Sequence, residues 1–355
     1  MSTSASYSRL DRLLHRIAFA TSHLQMAVAD LESLSFKAPL AQASARRPVF
    51  ITALPRAGTT LLLEILATLP EFNSHTYRDL PFVLCPLFWR QLSRPFWKTA
   101  PPRERSHGDG MMITYDSPEA VEEIIWKLFW PAHYDKEGIS VWTADEIDEE
   151  FQSFYRNHIR KRSIIENQGQ AQRYLAKNNA NVARLELLLR LFSDARIVIP
   201  LRDPYAHIGS LAAQHQHFSQ VHQHDRFALR YMEWLGHHEF GGALKPIDFD
   251  HWLTGVSAKP AELGFWVEYW LAYARHLQNT KSSRLHFFDY EAACQGDGEP
   301  LDRLAEYLEL SEAEPLRQAG DRFRTSHQYD LGDKISEPLR RKIDAAYDAL
   351  RARAQ

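Results

Sequence analysis

The sequence predicts an α/β fold in which a central parallel sheet is covered by helices on both faces. Three observations carry this expectation. Short apolar runs recur at residues 49–54, 173–176, 195–201 and 285–288. Helix-like stretches separate them, and such alternation favours parallel pairing. Turn-forming residues, Pro55-Arg56-Ala57-Gly58 and Arg202-Asp203-Pro204, directly follow two of the runs. That places them at the carboxyl ends of strands, where open α/β sheets bind ligands.

The elements follow in order along the chain. Leu10, Leu13, Leu14, Ile17, Leu24, Val28 and Leu31 recur at helical spacing, so one or two amphipathic helices open it and pack on the domain behind them. Residues 38–47 are small and polar and read as a linker. The chain therefore divides into a helical extension with its linker, 1–44, and one domain, 45–355. Residues 49–54 form a strand, 59–69 have the composition of a helix, and 72–76 form a shorter strand. Asp116-Ser117-Pro118 predicts a helix start, with Ser117 as cap, Pro118 in the first turn, and Glu119, Glu122 and Glu123 complementing the dipole. The strand at 173–176 leads to a leucine-rich helix over 182–192. The run 195–201 is the most β-like of all, and a helix begins near Tyr205. Residues 215–265, rich in His, Trp and Gly, read as a helical insertion or cap. A final strand at 285–288 precedes a helix over 300–308.

Composition narrows the function classes. The 355 residues carry a formal charge of −3, with 45% hydrophobic and 25% charged residues. That is ordinary globular composition without the basic excess of a nucleic-acid-binding surface, so local basic groups must do any anion binding. Cys85 and Cys294 form neither a disulfide framework nor a metal motif and fit a reducing compartment. No apolar run approaches the roughly 20 residues that span a bilayer, and Arg9, Asp11, Arg12, Arg16 and Asp30 interrupt any signal-peptide core. The expected location is the cytoplasm. His215, His217, His222 and His224 share helix faces in pairs, yet no carboxylate or cysteine completes a ligand set, and no metal is expected. Trp89, Trp97, Trp126 and Trp130 are assigned to the core ahead of an apolar cleft wall.

The turn Leu54-Pro55-Arg56-Ala57-Gly58-Thr59-Thr60 hands a strand over to a helix. The first amides of that helix lack intrahelical partners and, with the dipole, favour an anion. Gly58 lets the backbone approach closely, Thr59 and Thr60 offer hydroxyls, and Arg56 brings a permanent charge. A nucleoside-triphosphate loop would need an earlier Gly and a Lys after Gly58; both are missing. The turn resembles the 5′-phosphosulfate loop of sulfotransferases, Pro-Lys/Arg-Ser-Gly-Thr-Thr, with Ala57 in place of the usual Ser.

A second likeness lies downstream. Arg202 ends a strand and Ser210 follows eight residues later, resembling the pair that holds the 3′-phosphate of the donor in that family. The resemblance covers roughly residues 48–310 and looks closest to the bacterial and tyrosylprotein-sulfotransferase-like branch. It implies a P-loop-like domain using 3′-phosphoadenosine 5′-phosphosulfate as donor, with the 5′-diphosphate analogue as product. It further implies that Lys177 stands near the reacting group and that Tyr290 approaches the adenosine.

The acceptor hydroxyl needs a general base. Where the cytosolic branch has Lys-x-His, this chain has Lys177-Asn178-Asn179, and an amide cannot take the proton. Asp79, after the short strand, is the first candidate and His107, in a Gly-containing loop, the second; Glu119, Glu122 and Glu123 follow. The chief rival function is a nucleotide or small-molecule kinase on the same scaffold, and another is a non-catalytic binder of the donor nucleotide. The acceptor, a small molecule, glycan or peptide bearing a hydroxyl, is not readable, and a homo-oligomer is compatible with the sequence.

Overall fold

The computed structural model describes residues 9–20, 22–97, 101–105, 110–135, 137–166, 172–325, 327–329, 331 and 334–354. Three helices lead the chain: α1 (Arg9–Ala20), α2 (Ser22–Ser35) and α3 (Lys37–Gln42). There follow β1 (Val49–Ile51), α4 (Thr59–Leu66), β2 (Phe72–Asn73), α5 (Pro86–Ser93), the strands β3 (Arg103–Glu104) and β4 (Met112–Ile113), and α6 (Glu123–Phe129). After β5 (Ile139–Ser140) and α7 (Glu149–Glu166) come β6 (Arg173–Lys177), α8 (Leu185–Leu191), β7 (Arg196–Leu201), α9 (Pro204–His224) and α10 (Arg226–Leu235). The chain ends through β8 (Ile247–Asp248), α11 (Leu263–Asn279), β9 (Leu285–Asp289), α12 (Tyr290–Cys294), α13 (Glu299–Leu308), α14 (Glu314–Gln318) and α15 (Glu337–Arg351).

The main sheet is five-stranded in the order β2-β6-β1-β7-β9, and its pairings are parallel. This is the α/β architecture that the alternating pattern predicts. Alternate residues of each strand enter opposite cores, as the pleat requires. Val49, Ile51, Leu175, Val198 and Phe288 join the face covered by α4, α13 and α14. Phe50, Tyr174, Ala176, Ile197, Ile199 and Phe287 join the face covered by α7, α8, α9 and α11. Both faces are dry, which is why these strands read as continuous apolar runs. Because β1 and β7 are neighbours, with Phe50 opposite Ile197, the turns that follow them are brought side by side.

Two local expectations fail. Residues 37–42 of the presumed linker form α3, and the leading helices are tied to the domain: Lys161 on α7 pairs with Glu32 at 3.0 Å in a buried ion pair. The helix after Pro118 is delayed to Glu123. Pro118 instead bridges Thr76, the Glu119 N–H donates to the His75 carbonyl at 2.9 Å, and the Ser117 hydroxyl accepts from Thr114 N–H at 2.9 Å rather than capping a helix. Backbone pairing with the 75–77 segment outcompetes the local cap. Among the described residues, no helix is long and apolar enough to cross a membrane.

Candidate active site

The turn between β1 and α4 is held in an unusual shape. Arg56 has φ 72° and Gly58 φ 96°, two left-handed residues within three. The first costs on the order of 1 kcal/mol for a residue with a Cβ; the second is met by glycine. Gly58 is also pressed by Tyr290, whose Cε2 would lie 2.4 Å from an added Cβ.

Three hydrogen bonds join this turn to the one after β7. The Arg202 guanidinium donates to the Arg56 carbonyl at 2.6 Å, and Arg56 Nε donates to the Ser210 hydroxyl at 3.2 Å. His207 Nε2 lies 2.9 Å from the Pro55 carbonyl. Burial, reinforced by Arg202, pushes His207 down to about 3, so the ring is neutral and its Nε2–H is the donor. Asp203 does not pair with Arg202; its carboxylate caps α9 by accepting from Ala206 N–H at 2.7 Å. Burial and then the neighbouring Arg56 both disfavour the charge on Arg202. Two guanidiniums crowded in this way are relieved by an anion.

Arg56, Thr59 and Thr60 also line a cleft that Lys177, Asn179, Glu119 and Glu239 complete, with Phe218, Tyr231, Met232, Leu235 and Phe240 as an apolar wall. Thr59 donates its hydroxyl hydrogen to Asn179 Oδ1 at 3.2 Å, and Asn179 Nδ2 donates to Glu239 at 3.0 Å. The donor loop is thereby linked to the opposite wall. Burial lowers the Lys177 amine from its ordinary value, while Glu239 and Glu119 act in the other direction. Arg105 leans in from beyond β3, 3.3 Å from the Thr60 hydroxyl.

The predicted site residues fall into three groups. Arg56, Ala57, Gly58, Thr59, Thr60, Arg202, Ser210 and Tyr290 gather around the two turns, with Lys177 and Glu119 at the cleft. Asp79 does not line it. Its carboxylate is 6% exposed and accepts from Arg162 at 3.1 Å, His75 at 2.9 Å and the Thr76 N–H at 2.9 Å. Burial alone would raise its pKa; Arg162, with His75, outweighs that and holds it well below the usual carboxylate range. Such a carboxylate is a structural anchor and a poor proton acceptor. Glu122 is buried behind the cleft under the Tyr155 and Tyr174 hydroxyls, and Glu123 is paired with Arg184. His107 lies outside the described residues.

Glu239 and His207 escaped the sequence reading. His207 could have been found, since it lies between Arg202 and Ser210 on the same helix; Glu239 follows α10 in an irregular stretch and carries no local signal. The histidines at 215 and 222 accept the Gly241 and Gly242 N–H groups at 3.1 and 3.0 Å, tying α9 to that stretch. Of the four tryptophans, Trp126 is fully buried while Trp97 is 38% exposed, so the set is divided between core and surface.

A parallel sheet with two stapled cationic turns at adjacent strand tips defines an anion-binding α/β domain of the P-loop type. The chain belongs to the sulfotransferase family, whose sequence profile matches residues 48–314. Among solved structures it is similar to the sulfotransferase STF1 of Mycobacterium tuberculosis, at 15% identity and TM-score 0.53, covering 95% of this chain and 86% of that one. It is also similar to STF9 of Mycobacterium avium, at 16% identity and TM-score 0.50, covering 98% and 87%. At such identity these likenesses speak for the fold. No curated protein matches the sequence.

Proposed function

We propose that the protein transfers a sulfuryl group from 3′-phosphoadenosine 5′-phosphosulfate to an acceptor hydroxyl. The observation that carries this reading is Arg56, which lines the acceptor cleft and also bonds Ser210 on the neighbouring turn. One residue thus stands between a site for the reacting sulfate and a site for a second phosphate. In the reaction, the acceptor oxygen attacks sulfur in line as the bond from sulfur to the 5′-phosphate oxygen breaks. Arg56, Lys177 and the amides opening α4 stabilise charge on the equatorial and leaving oxygens.

The proton of the acceptor passes to a carboxylate, and we assign this base to Glu119. One of its oxygens accepts only the N–H of the adjacent Ala120, and its side chain borders the same cleft as Lys177. Glu239 has a positioning role, holding Asn179 and through it Thr59. The apolar wall at 218–240 favours an acceptor with a hydrophobic body.

Thermal shift separates this reading from its chief rival. Stabilisation by 3′-phosphoadenosine 5′-phosphate, rising with ligand concentration and weakened in Arg56→Ala and Arg202→Ala, is the expected result. Preferential stabilisation by ATP with Mg²⁺ would overturn it in favour of a kinase.

A further inference from the structure

The chain beyond Phe323 has no part in the site so far described, yet it runs along both turns. Phe323 is buried, its ring centroid 5.5 Å from that of Phe288 and 5.6 Å from that of Tyr290. Further on, the Tyr329 ring lies on Gly209 of α9, the residue before Ser210. A Cβ at Gly209 would stand 2.4 Å from Tyr329 Cγ and 2.5 Å from its Cβ. These are the root of the side chain, which cannot swing aside without moving the backbone, so an alanine here displaces the segment. Gly58 is covered in the same manner by Tyr290. Each turn therefore has one glycine with a tyrosine laid against it. Between them stands Arg202, whose charge both phenols favour. The buried Leu331, whose N–H bonds the Tyr329 carbonyl at 2.9 Å, anchors the far side of the segment. His327 packs edge-on to the Tyr329 ring at 4.6 Å.

We propose that Tyr329 is a further donor-binding residue: the segment 323–331 lies across the Arg202–Ser210 turn, and the Tyr329 hydroxyl donates a hydrogen bond to the donor's 3′-phosphate. The inference rests on the donor reading above. A phenol beside a guanidinium adds a neutral donor where Arg202 and Ser210 already place two, completing a phosphate site without further charge. The ring on Gly209 fixes its position before the ligand arrives, which limits the ordering cost of binding.

The test is titration calorimetry with 3′-phosphoadenosine 5′-phosphate and with 5′-AMP, which lacks the 3′-phosphate. Tyr329→Phe keeps the ring and removes only the hydroxyl. It is expected to weaken the bisphosphate about tenfold, the loss of one hydrogen bond to a charged group, and to leave 5′-AMP unchanged. Gly209→Ala is expected to weaken the bisphosphate at least as much by displacing the ring. Trypsin supplies an independent readout at the exposed Arg324 and Lys334: bound bisphosphate should protect both sites in the wild type and less in Gly209→Ala. Equal loss for both nucleotides would make Tyr329 a packing residue and overturn the proposal. So would wild-type affinity in both variants while Arg56→Ala is impaired, with the donor reading left standing. No binding of the bisphosphate by the wild type would overturn the donor reading itself, and this inference with it.

Discussion

Arg56 and Glu119 border one cleft but arrive there by different routes. Arg56 belongs to a wall made by two short turns, each following a strand of one parallel sheet, and stapled together by Arg202, Ser210 and His207. Its chemistry is fixed by backbone shape and by charges within a few residues of a strand tip. Glu119 belongs to a wall assembled from remote segments, with Lys177 from β6 and Glu239 from beyond α10. That wall is held by contacts between distant residues, among them Asn179 with Glu239 and the Glu119 N–H with the His75 carbonyl. The first wall is built to hold one kind of ligand. The second can change its side chains without disturbing the first, which is how one donor site serves different acceptors.

The sharpest way to break this division is Glu119→Gln. Turnover under saturating donor is expected to fall by about 10²–10⁴-fold, the usual worth of a general base, with affinity for 3′-phosphoadenosine 5′-phosphate unchanged. A comparable loss of nucleotide affinity would show that the walls are not separate. Asp79→Asn probes the support behind the cleft. It leaves the buried Arg162 without its counter-charge and is expected to cost about 3 kcal/mol in denaturant unfolding, while turnover per folded molecule stays near wild type. A collapse of turnover in folded protein would return Asp79 to the role of base.

Glu122 sets a pH signature on the same support. Burial, only partly offset by the Tyr155 and Tyr174 hydroxyls, pushes its carboxyl from 4.5 up to about 7. Its folded value lies above its unfolded one, so its contribution to stability is complete below the unfolded value and is lost as pH rises through about 7. Glu122→Gln should remove that slope and stabilise the protein near pH 8 by on the order of 2–3 kcal/mol, read by urea unfolding at several pH values. A slope that survives the substitution would refute the assignment. The smallest effect belongs to Gly58→Ala. Its left-handed φ and the Tyr290 ring disfavour a Cβ, so a loss of about 1–2 kcal/mol in stability is expected, together with weaker bisphosphate binding and no change in the acceptor wall.

The same division explains what the sequence disclosed. Parallel strands dry on both faces announce themselves as apolar runs, so 49–51, 173–177, 196–201 and 285–289 were legible within a few residues. Arg56, Lys177, Arg202 and Ser210 were legible because they stand at or just beyond the ends of those runs. Glu239 was not, because only tertiary packing brings an irregular stretch after α10 to Asn179. Asp79 was a near miss. Tyr77 of the same tight turn lines the cleft, but two residues later the side chain turns inward to Arg162. Asp116-Ser117-Pro118 carries every local mark of a helix start, and pairing of the following backbone with His75 overrides it.

The neutral His207 and the Arg202 bond to the Arg56 carbonyl have an effect on timing. A cradle braced before any nucleotide enters makes nearly the same contacts to spent donor as to fresh donor, since the two differ only by the group that departs. Catalysis on such a frame is throttled by how fast the desulfated nucleotide leaves, and a cell that runs this enzyme at speed must clear that by-product with a phosphatase.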